Sequence, residues 1–326
     1  MKLHFRSIKN RIARPLHGFG YLVTGLPLFA QRAIMGSIGG VARVVYFMPK
    51  SHLRKTVKNF CRVTGRSDAW PLFFRMVDNV EQAALHFVRL YRYGREELLK
   101  QTTVDPRVEA EMQRLRANGQ GVMILVPHCT GAVLSSARLS SVYPTVLLVR
   151  EPKDQGRCQL MLEYIKKLGP EYILTRSTPP AQVIRNIVRA LKEGKVVVGT
   201  TDLINLDEYA TDTVQTRIFD QRILSPEWPA RLSARLNAPI LPGYIHMEGG
   251  QITLLGDEGY VEQEIQQSTQ RWVSSFEKYF RQYPSDWAFM LDKNWARILA
   301  AAAAALPALR KDVPESNTNY QEPLAS

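Results

Sequence analysis

The first 67 residues contain no aspartate or glutamate; the first acid is Asp68. That stretch holds 13 of the 43 lysines and arginines, and the other 30 match the chain's 30 acids, so the entire formal charge of +13 belongs to the N-terminal fifth. Cysteine is scarce. Cys61, Cys129 and Cys158 share no metal-like spacing and cannot all pair with one another, which points to a reduced, cytosol-facing protein rather than a disulfide scaffold. No His, Cys or Asp cluster has ligand spacing, so neither a metal nor a bound cofactor is implied. Also missing is an unbroken apolar run of the ~20 residues that a membrane span wants. The best candidate, 17 uncharged residues between Arg14 and Arg32, is interrupted by Pro27 and three glycines. It reads as a monotopic or re-entrant anchor. Basic residues continue well past it and no small-residue cleavage site follows promptly, so a signal peptide is not expected.

What is present fits those absences. Basic residues bracketing apolar sequence suit a segment dipped into the headgroup region of an anionic membrane surface, where each contributes roughly 1 kcal/mol. A nucleic-acid partner is not expected, because there is no basic-aromatic platform and no known module. The 45% of apolar residues in a chain of 326 suffices for a sizeable core.

Beyond residue 67 the periodicities predict an amphipathic helix over 68–100 and a short one after Asp105-Pro106. Buried strands are expected at Gly121–Pro127, Thr145–Val149 and Lys195–Thr200. Helices fall at 131–141, 157–168, 179–193, 226–237 and 262–283, with further strands at 239–247 and 251–256. The alternation implies an α/β fold, a mostly parallel central sheet with helices on both faces. The division is a basic, apolar anchoring region (1–67), an α/β domain (68–300), and an Ala-rich spacer with a disordered tail (301–326). There is no internal repeat.

In such sheets, sites form beyond the carboxyl ends of strands. His128, Arg150 and Asp202 stand at such ends. A histidine there is well placed to remove a proton from a substrate hydroxyl, although on local context alone a structural or capping role is the stronger reading. Cys129, next to it, points elsewhere and is not expected to act as a nucleophile. His246 precedes a plain hairpin and reads as structural. Arg150 and Arg176 have the fork geometry for phosphate oxygens.

Several segments occur in a telling order: the basic Leu53-Arg-Lys-Thr-Val-Lys-Asn-Phe60, then Ile124-Leu-Val-Pro-His128, Val149-Arg-Glu-Pro-Lys153 and Val197-Val-Gly-Thr-Thr-Asp202. Pro229-Ala-Arg-Leu-Ser-Ala-Arg-Leu236 follows, and then Tyr283-Pro-Ser-Asp-Trp287 with Leu291-Asp-Lys. Their order and spacing, over roughly residues 15–300, resemble the lipid A lauroyl/myristoyl acyltransferases of the glycerophosphate (lysophospholipid) acyltransferase-like superfamily. The resemblance implies acyl transfer at the cytoplasmic face of the bacterial inner membrane. The donor would be acyl-acyl carrier protein or acyl-CoA, and the acceptor a hydroxyl or amine of a lipid such as a lipid A precursor. That family's H-x4-D/E motif pairs a general-base histidine with an orienting acid. Here Val133 stands where the acid belongs. Three accounts follow: Asp202 takes over the acid's role, the acceptor is a more reactive amine, or the chain kept the fold and lipid site as a non-catalytic binding or assembly protein. The adopted reading makes His128 the base, Asp202 its supporting acid, and Arg150 and Arg176 the anion contacts.

Overall fold

The computed structural model describes residues 23, 25–204 and 212–306. Most of the apolar-basic stretch up to Phe29 and the tail expected from Lys311 lie outside the described residues. Three helices open the described chain: α1 (Leu28–Phe47), α2 (His52–Thr64) and α3 (Ala69–Tyr93), followed by a single turn, α4 (Arg95–Leu99). The amphipathic stretch expected as one helix over 68–100 is thus two. Gly94 separates them at φ +79°, a conformation that costs a glycine little and a side chain much.

A short strand β1 (Thr102–Val104) leads into α5 (Pro106–Arg116), started by the Asp105 carboxylate accepting the Arg107 N–H at 2.8 Å and by Pro106 in the first turn. The alternating core then runs β2 (Val122–Val126), α6 (Ala132–Val142), β3 (Thr145–Val149), α7 (Gln155–Leu168), β4 (Glu171–Leu174), α8 (Pro180–Lys192) and β5 (Val196–Thr200). A hairpin of β6 (Thr213–Ile218) and β7 (Gln221–Pro226) follows, then α9 (Trp228–Leu236), β8 (Ile240–Glu248), β9 (Gln251–Gly256) and α10 (Ile265–Gln282). Two 3-10 turns, Pro284–Asp286 and Ala288–Leu291, connect to α11 (Lys293–Ala305).

The main sheet has the order β1-β9-β8-β2-β5-β3-β4. Its five strands from β8 to β4 are parallel; β9 runs antiparallel to β8, and β1 pairs parallel with β9. Every residue of β2, Val-Met-Ile-Leu-Val, is buried, which is why the segment is apolar throughout instead of alternating. The mostly parallel sheet expected from the sequence is therefore present, with an antiparallel margin.

The β6–β7 hairpin went unforeseen. Its two-residue turn places Phe219 at φ +51° and Asp220 at φ +59°, the signs of a type I′ turn, but without the Asn-Gly pair that usually announces one. The sequence expectation of one helix over 262–283 holds within three residues. The alanine run 300–305 ends α11, with Ala302 and Ala303 buried.

Tyr46, Val57, Phe60 and Cys61, from the basic N-terminal part, belong to the same buried cluster as the sheet strands. Helix α1 lies along α3, where Arg43 is bridged to Glu81 at 2.7 Å and to Asp78 at 2.5 Å. Its other side leaves Phe29, Ile38, Val41, Val44 and Phe47 more than half exposed. Among the described residues no helix is long and apolar enough to cross a membrane.

Candidate active site

Because β2, β5, β3 and β4 are neighbours in that order and parallel, their carboxyl ends lie along one edge of the sheet. Each of the four residues singled out in the sequence follows one of them: His128 after β2, Asp202 after β5, Arg150 after β3 and Arg176 after β4. With strands ~4.8 Å apart, the row from His128 to Arg176 spans roughly 14 Å.

The first two meet. Asp202 has a side chain only 1% exposed, and its Oδ1 accepts the His128 Nδ1–H in a short hydrogen bond. Oδ2 accepts the His128 backbone N–H at 3.0 Å and the Trp287 Nε1–H at 3.3 Å. An ionised carboxylate can only accept, so Nδ1 carries the proton, and in the neutral imidazole Nε2 keeps its lone pair. The backbone carbonyl of Asp202 is held in turn by Trp295 Nε1 at 2.8 Å. The ring of Phe289 lies flat on the imidazole, centroids 3.7 Å apart and planes 4° from parallel. The His128 side chain remains 27% exposed.

Val133, five residues past His128, lies in the first turn of α6 and is 45% exposed. It contributes nothing to holding the ring; the partner comes from β5 instead. Cys129 is buried, and burial pushes its thiol well above the ordinary range, which removes the thiolate that a nucleophile would need.

The arginines differ from each other. Arg150 is exposed. Arg176 spends part of its fork on its own loop, donating from Nη1 to the Glu151 carbonyl at 2.5 Å. Buried Glu151 accepts the backbone N–H groups of Arg176, at 3.0 Å, and of Ser177. Burial alone would raise this carboxyl, but its hydrogen bonds with Ser177 and the backbone bring it down to about 2. The loops after β3 and β4 are thereby tied together.

Besides Phe289 on the imidazole, two parts of the site were not read from the sequence. One is the indole pair Trp287 and Trp295 around Asp202; Trp287 was visible only as one letter of a resemblance. The other is a second histidine–carboxylate pair. His246 Nδ1 donates to Asp286 Oδ2 at 2.7 Å, and Asp286 is 0% exposed. Burial lowers the affinity of His246 for a proton, yet the hydrogen bond and charge of Asp286 outweigh it and raise its pKa above the ordinary value. Beside Asp202 lies a small, mostly apolar pocket lined by Thr201, Ile204, Ile218, Phe276, Phe280 and Trp295 among others. Among the described residues no His, Cys, Asp and Glu group could hold a metal ion.

Comparison with known proteins agrees with the resemblance. The family model described as bacterial lipid A biosynthesis acyltransferase matches residues 4–297. No curated protein matches the chain. The chain belongs to the bacterial lipid A biosynthesis acyltransferase family.

Proposed function

We propose that the chain transfers a fatty acyl group from a thioester, acyl-acyl carrier protein or acyl-CoA, to a hydroxyl or amine of a lipid acceptor such as a lipid A precursor. The observation that carries this reading is the His128–Asp202 pair, in which the buried acid leaves Nε2 as the proton-accepting nitrogen. Nε2 takes the acceptor's proton as its oxygen or nitrogen attacks the thioester carbonyl. Asp202 steadies the imidazolium that forms. Collapse of the tetrahedral intermediate breaks the C–S bond, and His128 returns the proton to the leaving thiol. An ester or amide and a free thiol result. Arg150 and Arg176, on the loops after β3 and β4, are the contacts for phosphates of the lipid or the donor.

Val133 favours a second reading, a non-catalytic lipid-binding or assembly protein, since the usual acid position is empty of charge. The two readings separate in one assay. Purified full-length chain in mixed micelles, given radiolabelled acyl-acyl carrier protein or acyl-CoA and lipid A precursor lipids, should release thiol and label the lipid. No label in any donor and acceptor combination, with lipid binding retained, would leave the non-catalytic reading.

The site of action follows from the N-terminal charge and the apolar face of α1. The full chain should float with vesicles containing anionic lipid at moderate salt, and deletion of residues 1–48 should release at least part of it. A full-length chain that stays at the bottom of the gradient would remove the membrane, and with it the cytoplasmic face of the bacterial inner membrane, from the proposal.

A further inference from the structure

The residues from 284 to 291 touch both histidine–carboxylate pairs. On one side, Trp287 donates to Asp202 and Phe289 lies on His128. The backbone joins them as a short antiparallel bridge: Ala288 N–H donates to the His128 carbonyl at 2.8 Å, Thr130 N–H to the Asp286 carbonyl at 2.9 Å, with Cys129 opposite Trp287. On the other side, the Asp286 carboxylate is the fastening. Its Oδ2 accepts from His246 on β8 at 2.7 Å; its Oδ1 accepts from Asn79 Nδ2 on α3 at 2.7 Å and from Met247 N–H at 3.2 Å. His246 is itself packed against the Tyr283 ring, centroids 4.2 Å apart, and its Nε2 lies 3.7 Å from Glu248. One fully buried carboxylate therefore joins α3, β8 and the segment that covers His128.

A charge at 0% exposure is expensive unless every lone pair is used, and its placement is correspondingly exact for the segment that carries it. Plain packing would have served to hold Pro284–Leu291 in the core. A carboxylate with three directed donors fixes a rotation and a register as well as a distance.

We infer that His246 and Asp286 are positioning residues for the reaction: the pair anchors the segment 286–289 so that Trp287 and Phe289 hold Asp202 and His128 in the proton-accepting arrangement. Both act through that segment. The inference rests on the acyl-transfer reading of His128, but its geometry can be tested apart from activity.

His246→Ala removes the donor and leaves Asp286 Oδ2 bare in the interior, so the segment shifts or Asp286 takes up a proton. His246→Asn puts an amide N–H close to where Nδ1 stands and restores the fastening without the ring. With His246→Ala, kcat should fall on the order of 10- to 100-fold, the loss expected when reacting groups move by an ångström, with KM little changed. His246→Asn should recover most of kcat. In parallel, the downfield proton resonance of His128 Nδ1–H, identified by its loss in His128→Gln, should move or broaden in His246→Ala and return in His246→Asn.

Wild-type kcat together with an unmoved His128 resonance in His246→Ala would overturn the inference. So would equal losses in both variants that track lowered thermal stability, because that is the behaviour of a merely structural pair. If the wild-type chain transfers no acyl group, the proposed function fails, while the resonance of His128 still decides whether His246 and Asp286 position it.

Discussion

Asp202→Asn should lower kcat by about 10⁴, the loss seen when a histidine base is left in the wrong tautomer. The reason lies in how the three donors divide between the two oxygens. Oδ2 serves the His128 backbone N–H and the Trp287 indole, whereas Oδ1 serves the imidazole alone. An asparagine satisfies the first two by placing its carbonyl oxygen at Oδ2. Its NH2 group then faces Nδ1, which must become an acceptor. The imidazole proton moves to Nε2, where the lone pair had been, and the base is lost without a change of shape. The fold should survive, since the volume and both N–H contacts at Oδ2 are kept. Kinetics beside a thermal melt, and the nitrogen shifts of His128, measure both halves. Wild-type kcat in Asp202→Asn would remove Asp202 from the mechanism. His128→Ala should abolish transfer as well, but it strips Oδ1 of its only partner, so some stability is lost with it.

Trp287→Ala should destabilise the protein by about 3–5 kcal/mol, the usual cost of truncating a large buried aromatic. Trp287 is 0% exposed, stacks on Phe280 at 3.8 Å and meets Trp295 edge-on at 4.7 Å. With a total stability of about 5–15 kcal/mol for a typical domain, that is a large share. Trp287→Phe separates the two duties of the side chain. It keeps most of the ring packing and removes the hydrogen bond to Asp202, at about 1–3 kcal/mol for a donor lost to a charged group. Urea unfolding of the three proteins should rank them wild type, Phe, Ala. Activity in the Phe variant should fall further than its stability explains. A Phe variant with full activity would reduce the indole to packing.

Much of the site was legible because buried parallel strands write themselves as apolar runs. Val122–Val126, Thr145–Val149 and Val196–Thr200 could be found by composition, and the rule that sites sit past such ends then picked out His128, Arg150 and Asp202. The boundary at Gly94 was less visible, since the apolar stripe continues across it and only backbone geometry breaks the helix. The β6–β7 hairpin was hidden for a related reason: Phe219 and Asp220 adopt positive φ without glycine. His246 was read as structural because its neighbours in sequence describe a hairpin; its partner is 40 residues away. Val133 drew attention to a missing acid, but nothing near it in the chain could say what replaced it.

The sequence by itself determined the family, the largely parallel α/β sheet, the confinement of net charge to residues 1–67, and the candidate base. The family rests on the order and spacing of the resembling segments, and the rest on local signals: apolar period, charge order and residues at strand ends. The tertiary structure decided which acid meets His128, and that Trp287, Phe289 and the Asp286 fastening surround the pair. Those contacts join residues 39 to 207 positions apart, and they depend on β5 lying beside β2 and on the chain's return after α10. Side-chain hydrogen bonds act over about 3 Å of space and carry no trace of sequence separation, so only the order of strands in the sheet brings their partners together.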